Sequence, residues 1–259
     1  AGLAITSRMT SQINGLNQAV RNANDGISML QTADGALVEV TSMLQRMREL
    51  AVQAASGTSV AADRTAADAE FDALRLEIER IANQTQWNGT ALLDGTPGAT
   101  AFQVGANADQ TVSHTFADYN YADSSSGVAT NPLGDLDTTG DGTVDNQGLN
   151  NANFDLADTT KHDETLDGLT SAINNVNARR AAIGSMINRL EFAVDNLSNV
   201  SQNASASRSA ILDADYASET TELARTQIIQ QAATAMLSQA NQQAQSVLAV
   251  SYTHLTLPT

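Results

Sequence analysis

LDGLTSAINNVNARRAAIGSMINRLEFAVDNL, Leu166–Leu197, decides the fold. Within it Leu166, Leu169, Ile173, Val176, Arg180, Ile183, Ile187, Leu190, Val194 and Leu197 recur in steps that alternate between three and four residues, and nine of those ten are apolar. A repeat averaging 3.5 residues keeps one apolar line on one side of a helix, the pattern of helices packed along their length. A single helix gains most of its stability by burying such a line, so this segment requires a partner.

The partner is at the other end of the chain. Ile13, Leu16, Val20, Ala23, Ile27 and Leu30 make one line, and Leu37, Val40, Leu44, Met47, Ala51 and Ala54 another, with a one-residue phase shift near Asp34-Gly35. Ser56-Gly57-Thr58 breaks the helix. A second helix follows, carrying Phe71, Leu74, Ile78 and Ile81, with Asp63 as its N-cap or Ser59 as the competing choice. Asn88-Gly89 ends it, because that pair tolerates a left-handed backbone.

Phe102-Gln103-Val104 and Thr111–Phe116 are β-prone, and Gly105–Asp109 between them reads as a hairpin loop. From Tyr119 to about Thr160 the chain is rich in Asp, Asn, Gly, Ser and Thr, which suits a solvent-facing, loop-rich insertion rather than a core. The apolar stripe weakens over Ser198–Ser209. A last helix, about Ser218 to Val250, carries Leu223, Ile228, Ile229, Met236, Leu237, Val247 and Leu248 on an otherwise amide- and hydroxyl-rich surface. The fold expected is mainly α: a long antiparallel helical bundle or coiled coil with a β-hairpin and a small loop-rich outer insertion.

Composition narrows the function. The net charge is −16, of which Asp94–Gly168 holds thirteen acids against Lys161 alone, so −12 sits there and −4 elsewhere. Nucleic-acid binding needs clustered Lys and Arg to neutralise phosphate, so no nucleic-acid partner is expected. No run of 18 apolar residues occurs and no membrane partner is expected. Without Cys there is no disulfide or thiolate metal site. His114, His162 and His254 are scattered, with no HExxH and no GxSxG, so neither an enzyme nor a cofactor is expected. Asp137, Asp141 and Asp145 with Gly142 fit part of a calcium loop. Thr139 and Gly148, however, stand where a further ligand and a bidentate Glu are needed, so a solvated acidic loop is the better reading. Ser124-Ser125-Ser126 is open to O-glycosylation or is simply a turn.

NANDGIS at Asn22–Ser28, TADGAL at Thr32–Leu37 and LQRMRELAVQ at Leu44–Gln53 resemble the N-terminal part of the bacterial flagellins. QTQWNG at Gln84–Gly89 resembles the turn after that family's second helix, and FQVGAN at Phe102–Asn107 its first hairpin strand. ILDADYA at Ile211–Ala217 and ANQ at Ala240–Gln242 resemble its C-terminal part. The resemblance implies a structural subunit that self-assembles into the extracellular flagellar filament for motility. Its implied partners are identical subunits, an export chaperone, the filament cap and the innate immune Toll-like receptor. A hook–filament junction protein of the same family, or a surface adhesin, is the alternative.

The resemblance also implies an organisation. Residues 1–117 form the N-terminal part of a helical rod domain with its β-hairpin, 118–162 a variable acidic outer insertion, and 163–212 the C-terminal helix of the rod. Residues 213–250 form an inner-core helix. The family carries about forty residues before the position of Ala1, a helix of roughly 60 Å, whose absence would leave that inner-core helix unpaired. Ser251–Thr259, SYTHLTLPT, does not continue the helical pattern and is expected to be a non-native tail. Gln45, Arg46, Leu50 and Glu70 match the surface that family members present to the receptor and to neighbouring subunits. As bare chemistry, Arg46 and Glu70 are exposed helix charges that solvate or pair.

Overall fold

The computed structural model describes residues 2–119, 133, 154–212 and 216–255. It contains α1 (Gly2–Ala55), α2 (Ala61–Gln84), β1 (Gln86–Trp87), β2 (Thr90–Ala91), β3 (Ala99–Gln103), β4 (Thr111–Thr115), α3 (His162–Leu212) and α4 (Tyr216–Leu255). The chain divides into two compact units, Ser7–Ala206 and a smaller one of Ala1–Thr6 with Ser207–Thr259. The mainly α architecture expected from the apolar spacing is what is found.

In the larger unit α1 and α3 run antiparallel. Arg180 Nε donates to Asp34 Oδ1 at 3.0 Å, and Ser201 Oγ to Asn17 Oδ1 at 2.8 Å, so position falls along α3 as it rises along α1. The apolar lines close on each other around these polar contacts, with Leu30, Leu37, Val40, Leu44 and Met47 of α1 and Leu169, Val176 and Leu190 of α3 fully buried. Arg180, the one charged position of the α3 line, is thus matched by an acid. Phe71 and Ile78 of α2 complete the three-helix core.

α1 shows no phase shift. Its buried positions run Ala23, Gly26, Leu30, Ala33, Leu37, Val40, Leu44, Met47, Ala51 and Ala54 without interruption. Gly26 and Ala33 are the small residues that carry the line, and Ile27 is only half-buried. Gly26 is small because the hairpin sits on it: a Cβ there would lie 2.8 Å from Phe102 Cδ1.

The cap of α2 also differs. Val60, extended at φ −83° and ψ 164°, is the N-cap. Asp63 is three residues inside the helix, and its Oδ2 accepts the Val60 N–H at 3.3 Å, which satisfies an end group from within. Asn88-Gly89 does not end α2, which stops at Gln84. The pair forms the turn of a second, two-residue hairpin, with Trp87 opposite Thr90. Both turn residues have positive φ, 49° and 81°, as the type I′ form of a two-residue hairpin turn requires.

β3 and β4 pair antiparallel from Ala99↔Thr115 to Gln103↔Thr111, which places the hairpin and its loop as read from the sequence. The polar block is less uniformly solvent-facing than its composition suggests. Tyr119, Leu133, Phe154 and Leu156 are all buried in the main core, and Asp68 Oδ1 accepts the Leu156 N–H at 3.1 Å. Ser124–Ser126 and the Asp137–Gly148 loop lie outside the described residues.

In the smaller unit, α4 runs five residues into the expected tail, to Leu255. Nothing from Ser251 to Leu255 breaks a helix.

Candidate functional site

Along α1 the buried line leaves Gln45, Arg46, Arg48, Glu49 and Val52 exposed. Consecutive residues on a helix point about 100° apart, so this face has two edges. Arg46 turns to α2, where its Nε donates to Glu70 Oε1 at 2.9 Å and its second guanidinium nitrogen to Glu49 Oε2 at 3.1 Å. Glu70, then Glu49, hold the guanidinium's proton more firmly than in free arginine. The pair is half-exposed, so it contributes little to stability and serves instead to fix the two side chains in one geometry.

Gln45 turns the other way. With Arg48, Glu49 and Val52 it lines an open groove of about 660 Å³ closed by Thr170, Ile173 and Asn174 of α3. Leu50 belongs to neither edge. It is 2% exposed and packed in the core, so the expectation that it contacts a partner directly is corrected. Its place in the Leu44, Met47, Ala51 register already marks it as inward-facing. Of the four residues singled out from sequence, the structure joins Arg46 and Glu70, sets Gln45 beside a neighbouring groove and buries Leu50.

A second cluster lies under the larger hairpin. The His114 ring meets Phe116 edge-on at 5.0 Å, in a small pocket also lined by Tyr119 and Arg179. Burial, then the Arg179 charge, pushes the imidazole below its ordinary value. The unfolded chain therefore binds more protons between the two values, and stability rises with pH there. The contribution is present above the unfolded value of about 6.5 and is lost as pH falls from there through the lower folded value. Thermal melts followed by circular dichroism should show the midpoint falling between about pH 7 and 5, and a flatter dependence for His114→Gln. His162 is held differently, with its Nε2 donating to the Leu156 carbonyl at 3.0 Å.

Among the described residues, the exposed large apolar side chains gather most densely on α4. Leu223, Ile228, Ile229, Met236 and Leu237 are each between 55% and 68% exposed. Leu223 and Leu237 are two heptads apart, and Ile229 and Met236 one, so these pairs stack along the helix. From Thr226 to Val250 no residue carries a charge. Even so, no described helix is long and apolar enough to cross a membrane. An uncharged helix with large apolar side chains in water marks a surface that another surface covers.

Comparison with known proteins gives the family. Residues 1–97 match the bacterial flagellin N-terminal helical region and residues 166–250 the bacterial flagellin C-terminal helical region. The chain belongs to the bacterial flagellin family. It is 43% identical to the flagellin of Halalkalibacterium halodurans over 250 residues, covering 96% of this chain and 83% of the relative. It is 43% identical to that of Bacillus subtilis over 267 residues, covering 96% and 84%. The crystal structure of Bacillus cereus flagellin is similar with a TM-score of 0.54 at 30% identity, over 68% of this chain and 88% of that one. A putative flagellar hook-associated protein from Vibrio parahaemolyticus shares the fold with a TM-score of 0.62 at 15% identity, over 80% of this chain and 96% of that one. Flagellins are structural proteins that form the extracellular flagellar filament, and the chain is a self-assembling filament subunit of this kind.

Proposed function

We propose that copies of this subunit assemble by burying the exposed apolar row of α4 against neighbouring copies. The observation that carries this reading is the row itself, five large apolar side chains of which four, Ile228, Ile229, Met236 and Leu237, stand on a stretch without charge. Each contributes about 1.5–3 kcal/mol when fully buried, so polymerisation supplies stability that the isolated helix lacks. An export chaperone before assembly and the filament cap during it are the proposed transient partners of the same segment.

Because the chain contains no Cys, a single Met236→Cys substitution gives one reporter thiol. Maleimide should label it readily in the soluble subunit and at least about tenfold more slowly in assembled filaments. Equal labelling in both states contradicts the proposal.

The Arg46–Glu70 edge is proposed as part of the surface recognised by the innate immune Toll-like receptor, with Gln45 flanking it. What supports this is a pre-organised, half-exposed Arg held by two acids, since arginine is favoured at interface centres. The combined Arg46→Ala, Glu70→Ala variant should lower receptor signalling in reporter cells by at least about tenfold, one strong contact's worth. Undiminished signalling removes these residues from the receptor surface.

A further inference from the structure

We propose that Asn88 is a site of spontaneous, non-enzymatic deamidation, and that the fold directs this chemistry to Asn88 rather than to Asn14. The sequence holds two Asn-Gly pairs, Asn14-Gly15 and Asn88-Gly89. Glycine matters because the attacking atom is the following backbone nitrogen, and a residue without Cβ leaves its approach open. Asn14-Gly15 lies inside α1, with backbone amides committed to the helical ladder and with Ala106 of the hairpin loop packed 3.0 Å from a Cβ placed on Gly15. Rotation of that peptide requires the helix to open against its packing.

Asn88-Gly89 is placed differently. Both residues are exposed, nothing lies within 4 Å of a Cβ placed on Gly89, and the Asn88 side chain makes no hydrogen bond among the described residues. The hairpin that holds them has only two residues per strand. In the closed turn Asn88 is left-handed, which directs the Gly89 nitrogen away from its side chain, so attack waits for the turn to open. So short an exposed hairpin opens at low cost.

In the open turn hydroxide removes the Gly89 amide proton and the nitrogen attacks Asn88 Cγ. The new N–Cγ bond forms as the Cγ–NH₂ bond breaks, the leaving group takes a proton from water and departs as ammonia, hydroxide is regenerated, and a five-membered succinimide remains. Water then adds at either ring carbonyl and opens the ring to aspartate or isoaspartate, with no change of oxidation state. The product adds one negative charge, and the isoaspartate form adds a main-chain carbon to a turn that accommodates two residues only. The Leu92 N–H to Thr85 O bond beside it, 2.9 Å, leads directly into the buried Leu92 and Leu93. A subunit held outside the cell in a long-lived polymer would accumulate this mark.

The test is to incubate the full folded chain in warm, mildly alkaline buffer and to follow both sites by peptide mapping, with isoaspartyl methyltransferase as the probe. Asn88 should gain the mass difference between water and ammonia and become methylatable, at a rate at least about tenfold above Asn14, whose opening is tied to helix and core. The same chain in denaturant should convert at both sites, and Asn88→Gln should lose the faster signal. Conversion of Asn14 at the pace of Asn88, or an unchanged Asn88 in the folded chain while the denatured chain converts there, would overturn the proposal.

Discussion

Replacing Ile229 and Met236 by Asp should abolish filament formation while leaving the melting of the Ser7–Ala206 unit unchanged. Both side chains are more than half exposed on α4, one heptad apart, so in the soluble subunit neither substitution removes a core contact. In the assembled state the loss is twofold. Two buried apolar side chains are worth about 3–6 kcal/mol, and a carboxylate in the same place is further penalised by desolvation. At about 1.4 kcal/mol per factor of ten, the concentration needed for assembly rises by more than about a hundredfold. Sedimentation of subunits at increasing concentration reads this directly. Filaments forming at the parental concentration would show that α4 is not the assembly surface.

Gly26→Ala should destabilise the larger unit although it improves helix propensity, and Gly35→Ala should stabilise it. Both glycines lie inside α1, where alanine is favoured by about 1 kcal/mol. At Gly35 nothing lies within 4 Å of the added methyl, so the propensity gain stands alone. At Gly26 the methyl would lie 2.8, 3.0 and 3.1 Å from Phe102 Cδ1, Cε1 and Cγ, along one edge of a buried ring. Overpacking a core costs about 1–3 kcal/mol, which outweighs the gain, and the larger hairpin should shift off α1. With about 2–4 °C per kcal/mol for a unit of this size, the two variants should melt on opposite sides of the parent. Equal shifts in one direction would mean that Phe102 does not rest on Gly26.

The same glycine shows what the amino-acid order conveys and what it conceals. The three-four spacing of large apolar residues announced both long helices and their pairing, because a buried helical line has one period whatever covers it. Beside Gly26 the larger Ile27 is the residue that reads as apolar, and with Ala33 also passed over an unbroken line reads as phase-shifted. Asn88-Gly89 carries a hairpin signal, but strands of two residues are too short to show alternation, so the pair reads equally as a helix end. Tyr119, Leu133, Phe154 and Leu156 stand isolated among polar residues. Only their tertiary contacts reveal that they reach the core.

At the candidate site the pairing of Arg46 with Glu70 follows from two adjacent helices joined by a short turn, whereas Leu50 was assigned by resemblance against its own inward register. α4 is legible as a helix from its apolar residues, whereas its place as an inner-core helix comes from the resemblance and not from its own spacing.

The central claim is tested most directly by electron microscopy of Bacillus subtilis cells whose own flagellin carries this chain in place of the matching residues. Long filaments of uniform diameter on those cells are the predicted result. Cells that export the chimaera as soluble subunits, or that bear only short stubs at the hook as a junction protein would give, would contradict it.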